Sequence, residues 1–284
     1  MHHRLPLPAP DGSDPGEVSH LDVLLDLPPD FGSDSLCLLY LHGFGSDQRG
    51  EKATFFRERA LAEGIGFCSF DFQGHGASGG TMAGLTLSRN LADVARVHGF
   101  LAEQGVRRVA LLGSSMGGGT ALWYAARHPA AVVAGLHIAP ALELEQGLLA
   151  WAGEERARAW EEIGTIRYTS DLVACDLGWE LIRDLRTYPM ADLLARHRTP
   201  CLLLQGKLDT SVPWRGVADF ATRCADCAIE LHLFGDGDHR LTDRKERLWA
   251  LMLEFLRGRG LVSRKPARSG SGASAARPRR KSPG

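Results

Sequence analysis

No apolar run in this chain approaches the ~18 residues needed to cross a bilayer as a helix, so a membrane-spanning reading has no segment to stand on. The first 17 residues, MHHRLPLPAPDGSDPGE, lack the long apolar core of a secretory signal and read as a flexible N-terminal segment. Cysteine is scarce for a disulfide scaffold. Cys37, Cys68, Cys175, Cys201, Cys224 and Cys227 lie scattered through 284 residues, several inside apolar runs where a free thiol packs as a small hydrophobe. Cys224-Ala-Asp-Cys227 is a single C-x-x-C that could be a redox pair or half a metal site, but no second C-x-x-C or paired histidines complete it, and it reads as structural. No metal and no organic cofactor are expected. Nothing repeats along the chain. Together these absences predict a cytoplasmic protein that folds on a hydrophobic core.

The net charge of −1 conceals an uneven distribution. Seven of the 33 basic residues, and no acidic one, fall between Arg264 and Gly284, which leaves the body with 26 basic against 34 acidic residues. That tail, within a Ser-, Gly- and Pro-rich stretch starting near residue 261, has no apolar period and reads as disordered. An acidic body gives no support for nucleic-acid binding.

Short continuous apolar runs at Leu36–His42, Ile65–Phe70, Arg108–Leu112, Val132–Ile138, Cys201–Leu204 and Ile229–Phe234 alternate with helical patterns at 52–62, 85–103, 116–127, 216–224 and 244–257. Runs that are apolar on both faces suit strands buried in a parallel sheet, and the alternation predicts a doubly wound α/β fold. Val18–Leu27 alternates more and reads as an antiparallel edge strand. The core is expected over 18–140 and 198–260. Residues 141–197 have no clear strand and look helical at 143–160 and 176–185, which predicts a small helical cap inserted before the strand that carries Asp209.

Ligands of such sheets bind beyond the carboxyl ends of the strands, so the loops that follow each strand matter most. Gly113-Ser114-Ser115-Met116-Gly117 is a G-x-S-x-G turn between a strand and a helix. A serine turned sharply upward there leaves no room for side chains two positions away, which is why small residues flank it. Ser115 is the candidate nucleophile and Ser114 its neighbouring rival. A serine hydroxyl needs a base. His239 sits in a Gly- and Asp-rich loop after the last strand run, whereas His42 suits organising the loop after the first core strand. The imidazole needs a carboxylate to fix its tautomer. Asp209 in GKLDTSVPW is the candidate, with Asp236 and Asp238 as rivals. Backbone N–H groups of Met116 and Phe44 are the candidate oxyanion donors.

LHGF at 41–44, GHGASG at 74–79, GSSMGG at 113–118, Asp209 and His239 together resemble the α/β-hydrolase superfamily over residues 18–258. LHGFGSDQRGEKATFF, GSSMGG, GKLDTSVPW and GDHR resemble a narrower group, the abhydrolase-domain acyl esterases that include palmitoyl-protein thioesterase and mycophenolic acid acyl-glucuronide esterase activities. The resemblance implies Ser115 as nucleophile, Asp209 as acid and His239 as base, acting on a small-molecule acyl ester or thioester. The same residues would also serve a serine aminopeptidase. A non-catalytic sensor on this fold would be expected to lose one of the three.

Overall fold

A computed structural model describes residues 1–7, 19–170 and 173–263. In chain order the elements are β1 (His2–Pro6), β2 (His20–Asp26), β3 (Leu36–Leu41), α1 (Glu51–Ala62), β4 (Gly66–Phe70), α2 (Leu87–Glu103), β5 (Arg108–Ser114), α3 (Met116–Arg127) and β6 (Ala134–Ile138). They continue with α4 (Leu144–Ile163), β7 (Thr165–Thr169), β8 (Ala174–Gly178), α5 (Glu180–Leu185), α6 (Met190–Arg196), β9 (Cys201–Gly206), α7 (Trp214–Arg223), β10 (Ile229–Phe234) and α8 (Lys245–Gly258).

Eight strands form one sheet in the order β1-β2-β4-β3-β5-β6-β9-β10. The six strands from β4 to β10 are parallel, and β2 joins β4 antiparallel. The parallel strands read as continuous apolar runs because helices cover both faces; every residue of β3, β4, β6 and β9 is buried. One face packs Leu39, Phe70, Leu111 and Leu203 with α2, α3 and the cap, and the other packs Leu38, Leu112 and Leu204 with α1 and α8. Among the described residues no helix is long and apolar enough to cross a membrane.

Three sequence expectations need correction. Residues 2–6 do not lie outside the fold: HHRLP pairs antiparallel with β2, buries Leu5 and takes the sheet edge, so β2 is internal. The insert after β6 is not purely helical. β7 and β8 form an antiparallel hairpin there, and 176–178 is strand rather than helix. Exposed residues alternate with half-buried ones along β7 and with buried ones along most of β8, over only five positions each, too short a stretch for period alone to separate from helix. The long cap helix also bends at Gly153, whose φ of 73° interrupts α4. The basic stretch 264–284 and most of the N-terminal segment (8–18) lie outside the described residues.

Candidate active site

β5 ends at Ser114, α3 begins at Met116, and Ser115 alone makes the turn with φ 53° and ψ −117°. A non-glycine residue held at positive φ costs of order 1–3 kcal/mol and persists only where its surroundings fix it. Here they do. The Ser115 N–H donates to the Ile138 carbonyl at 2.9 Å, and the Ser115 carbonyl accepts from Gly119 and Ala141, both at 3.0 Å. The flanking glycines are required by space. A Cβ on Gly113 would stand 2.5 Å from the Gly117 carbonyl oxygen, and one on Gly117 would stand 2.2 Å from that of Leu41.

The Ser115 hydroxyl lies 3.1 Å from Nε2 of His239, and Nδ1 of His239 lies 2.7 Å from Oδ2 of Asp209. The three side chains come from the loops after β5, β10 and β9. Asp209 is buried and heavily donated to. Its Oδ1 accepts from the Ser211 and Val212 N–H groups at 2.9 and 2.8 Å, and its Oδ2 accepts from Gln205 Nε2 at 2.9 Å. Burial pushes this carboxyl up, but the hydrogen bond and charge of His239 and the backbone donors outweigh it and hold it below the ordinary aspartate range. A carboxylate so held anchors Nδ1–H and leaves Nε2 free to take a proton from the hydroxyl.

The rivals have other partners. Ser114 is buried, and its Oγ accepts from Lys52 Nζ at 2.8 Å. Asp238 accepts from the N–H groups of Arg240 and Leu241, bracing the loop that carries His239. Asp236 pairs with Arg244 at the surface. His42 is fully buried, donating from Nδ1 to the Gly43 carbonyl at 2.8 Å and accepting at Nε2 from the Phe72 N–H at 3.0 Å. Desolvation takes it down to about 4, so it is neutral at physiological pH.

Phe44 lies one residue beyond Gly43, and a Cβ on Gly43 would sit 3.4 Å from the Ser115 Cβ, so this loop abuts the serine turn. Met116 is the first residue of α3. Lys52, which sequence reasoning missed, donates to both Ser114 and the Arg240 carbonyl and so ties α1 to the serine turn and the histidine loop. Burial and the nearby Arg240 lower its amine to about 8. No local sequence signal marks it.

The cap closes over this face. Tyr168 of β7 meets the Phe44 ring edge-on at 5.2 Å, and Trp151 of α4 meets Tyr168 at 4.6 Å. A cavity of about 380 Å³ opens between α3 and the cap. It is lined by Leu85, Met116, Trp123, Leu181 and Tyr188 among others, with Glu143, Glu145 and Arg186 at polar positions. Trp214, five residues past Asp209, is absent from its lining and instead faces Lys207 and Arg215.

The fold has counterparts among solved structures. A putative hydrolase from Agrobacterium vitis S4 is 26% identical and superposes with a TM-score of 0.75, covering 90% of this chain and 98% of that one. The chain has the α/β-hydrolase fold. Residues 34–171 match the family described as serine aminopeptidase, S33. The mitochondrial palmitoyl-protein thioesterase ABHD10 of Mus musculus is 26% identical over 216 residues, 74% of this chain and 70% of that protein. The solved mouse ABHD10 shares the fold at 22% identity, with a TM-score of 0.71 over 91% of this chain and 98% of that one.

Proposed function

We propose that this α/β-hydrolase is a serine hydrolase that cleaves carboxylic esters or thioesters through an acyl-enzyme. The observation that carries the reading is the continuous hydrogen-bonded chain Ser115–His239–Asp209 hung on a strained serine turn. Ser115 Oγ attacks the acyl carbonyl while His239 Nε2 takes its proton. The backbone N–H groups of Phe44 and Met116 receive the oxyanion, a contribution worth about 10²–10³-fold in rate per donor. The C–O or C–S bond breaks, and His239 returns the proton to the departing alcohol or thiol. Water, deprotonated by His239, then releases the acid and restores the serine. Asp209 holds the imidazolium throughout.

Met116, Trp123 and Leu181, among the apolar members of a mixed lining that begins one residue past Ser115, offer contacts for an acyl chain as the bound group. The named activity of the palmitoyl-protein thioesterase relative points the same way. A peptidase reading draws on the serine aminopeptidase match and on Glu143 at the cavity, a carboxylate placed to receive an amine. Of the two carboxylates there, Glu145 is already paired with Arg186 at 2.8 Å, so the peptidase reading rests on Glu143 alone, whereas the ester reading needs no amine-binding group. Six unpaired cysteines suit the reducing cytoplasm as the place of reaction.

The test is a substrate panel: p-nitrophenyl esters and acyl thioesters of rising chain length beside aminoacyl amides. Turnover of esters or thioesters above amides is expected. Preferential release of N-terminal residues from peptides would replace this reading with the peptidase one.

A further inference from the structure

The C-x-x-C motif that stands alone in the sequence does not stand alone in the fold. Cys201 opens β9, Cys224 caps the end of α7, and Cys227 lies in the loop leading into β10. His197 caps the end of α6, four residues before Cys201. One ligand atom each from His197, Cys201 and Cys227 lie within 4.8 Å of one another. Cys224 Sγ is directed at the His197 carbonyl, 3.8 Å away.

A buried imidazole is ordinarily satisfied, because an unpaired polar group in the interior costs about 1–3 kcal/mol. His197 is fully buried, and neither of its ring nitrogens has a hydrogen-bond partner. What lies beside it is sulfur. Thiolate and imidazole donors in a three-sulfur, one-nitrogen set are the preferred surroundings of Zn²⁺, usually tetrahedral and often with a C-x₂₋₄-C pair.

We propose that His197, Cys201, Cys224 and Cys227 form a binding site for a single thiolate-preferring divalent metal ion, Zn²⁺ foremost. Sulfurs bound to one zinc at ~2.3 Å stand roughly 3.8 Å apart, a spacing the His197, Cys201 and Cys227 donors are near, with Cys224 Sγ turning inward from the His197 carbonyl to join them. The half-buried Cys227 provides the entry side. The thiol protons leave to solvent as the metal–sulfur bonds form, with no change of oxidation state. The site sits at the amino end of β9, a strand of roughly 17 Å, whereas Asp209 follows its carboxyl end. It is therefore separate from the candidate active site. The metal would clamp the ends of α6 and α7 to the start of β9.

The test is titration of the full-length protein with Co²⁺ after chelator treatment and full reduction, read by absorbance. Binding of one equivalent with sulfur-to-cobalt charge-transfer bands and intense tetrahedral d–d bands is expected, displaced by Zn²⁺. These bands separate the site from adventitious metal on His2 and His3 at the amino terminus. Cys227→Ser and Cys224→Ser should each weaken binding more than about tenfold. Cys175→Ser, in the cap hairpin, should leave it unchanged. Wild-type protein that is reduced and folded yet shows no sulfur–cobalt bands would overturn the proposal without recourse to any variant. So would binding that Cys227→Ser does not alter, or recovery of a Cys201–Cys227 or Cys224–Cys227 disulfide where metal was expected.

Discussion

The Ser115 hydroxyl and the His239 Nε2 lie 3.1 Å apart although 124 positions separate them in the chain. The contact depends on Asp209, which fixes the far side of the imidazole at 2.7 Å. Asp209→Asn keeps the shape but offers an amide where a carboxylate stood, favouring the wrong tautomer of His239. A loss of kcat of about 10⁴-fold is expected, with KM little changed. Steady-state ester kinetics on a variant shown folded by circular dichroism check this, and a loss under tenfold would remove Asp209 from the proposed machinery.

The serine turn is a packing solution as much as a chemical one. In Gly117→Ala the new methyl would meet two backbone carbonyls, those of Leu41 at 2.2 Å and His42 at 2.5 Å, and neither can rotate away. Destabilisation of at least about 3 kcal/mol is expected, with loss of activity. Gly99, inside α2, is the contrast, because a Cβ there meets nothing within 4 Å. Gly99→Ala should stabilise the protein by about 0.5–1 kcal/mol. Urea unfolding of the two variants beside the parent measures both signs.

Buried neutral histidine makes the fold acid-sensitive. His42 sits at about 4 in the folded chain against an ordinary 6.5. As pH falls below 6.5 the unfolded chain binds the proton first, so stability is full above that value and drains away down to pH 4. The loss from His42 alone is about 3 kcal/mol at the acid end. Unfolding free energies between pH 7 and 4 should fall accordingly. His42→Gln should start less stable and show a shallower slope, and an unchanged slope would contradict the assignment.

Lys52 is expected to position the serine turn. Lys52→Met removes the donor to Ser114 at 2.8 Å and to the Arg240 carbonyl at 3.0 Å while keeping most of the aliphatic stem. A stability loss of about 1–2 kcal/mol is expected. A fall in kcat near tenfold without a matching rise in KM would mark positioning, and an unchanged kcat would leave Lys52 a structural tie only.

What the sequence made legible follows from local physics. β3, β5, β6 and β9 were readable because strands buried on both faces must be apolar throughout, and the serine turn because its steric need is met within five residues. Asp209 and His239 were readable because they follow strand ends. β1 escaped because HHRLP buries a single side chain, Leu5, and owes its place to pairing with β2. The cap hairpin escaped because five-residue alternations carry too little period. Lys52 and the His197 cluster escaped for one reason: their partners are 62 residues distant in one case and drawn from three separate elements in the other.

The most direct test of the central claim is covalent labelling with a fluorophosphonate probe, followed by mass spectrometry of the labelled peptide. The account predicts a single modification on Ser115, abolished in Ser115→Ala and strongly slowed in His239→Ala, with ester hydrolysis lost in parallel. Folded wild-type protein that takes up no probe, or that is labelled elsewhere with Ser115→Ala still active, would contradict it.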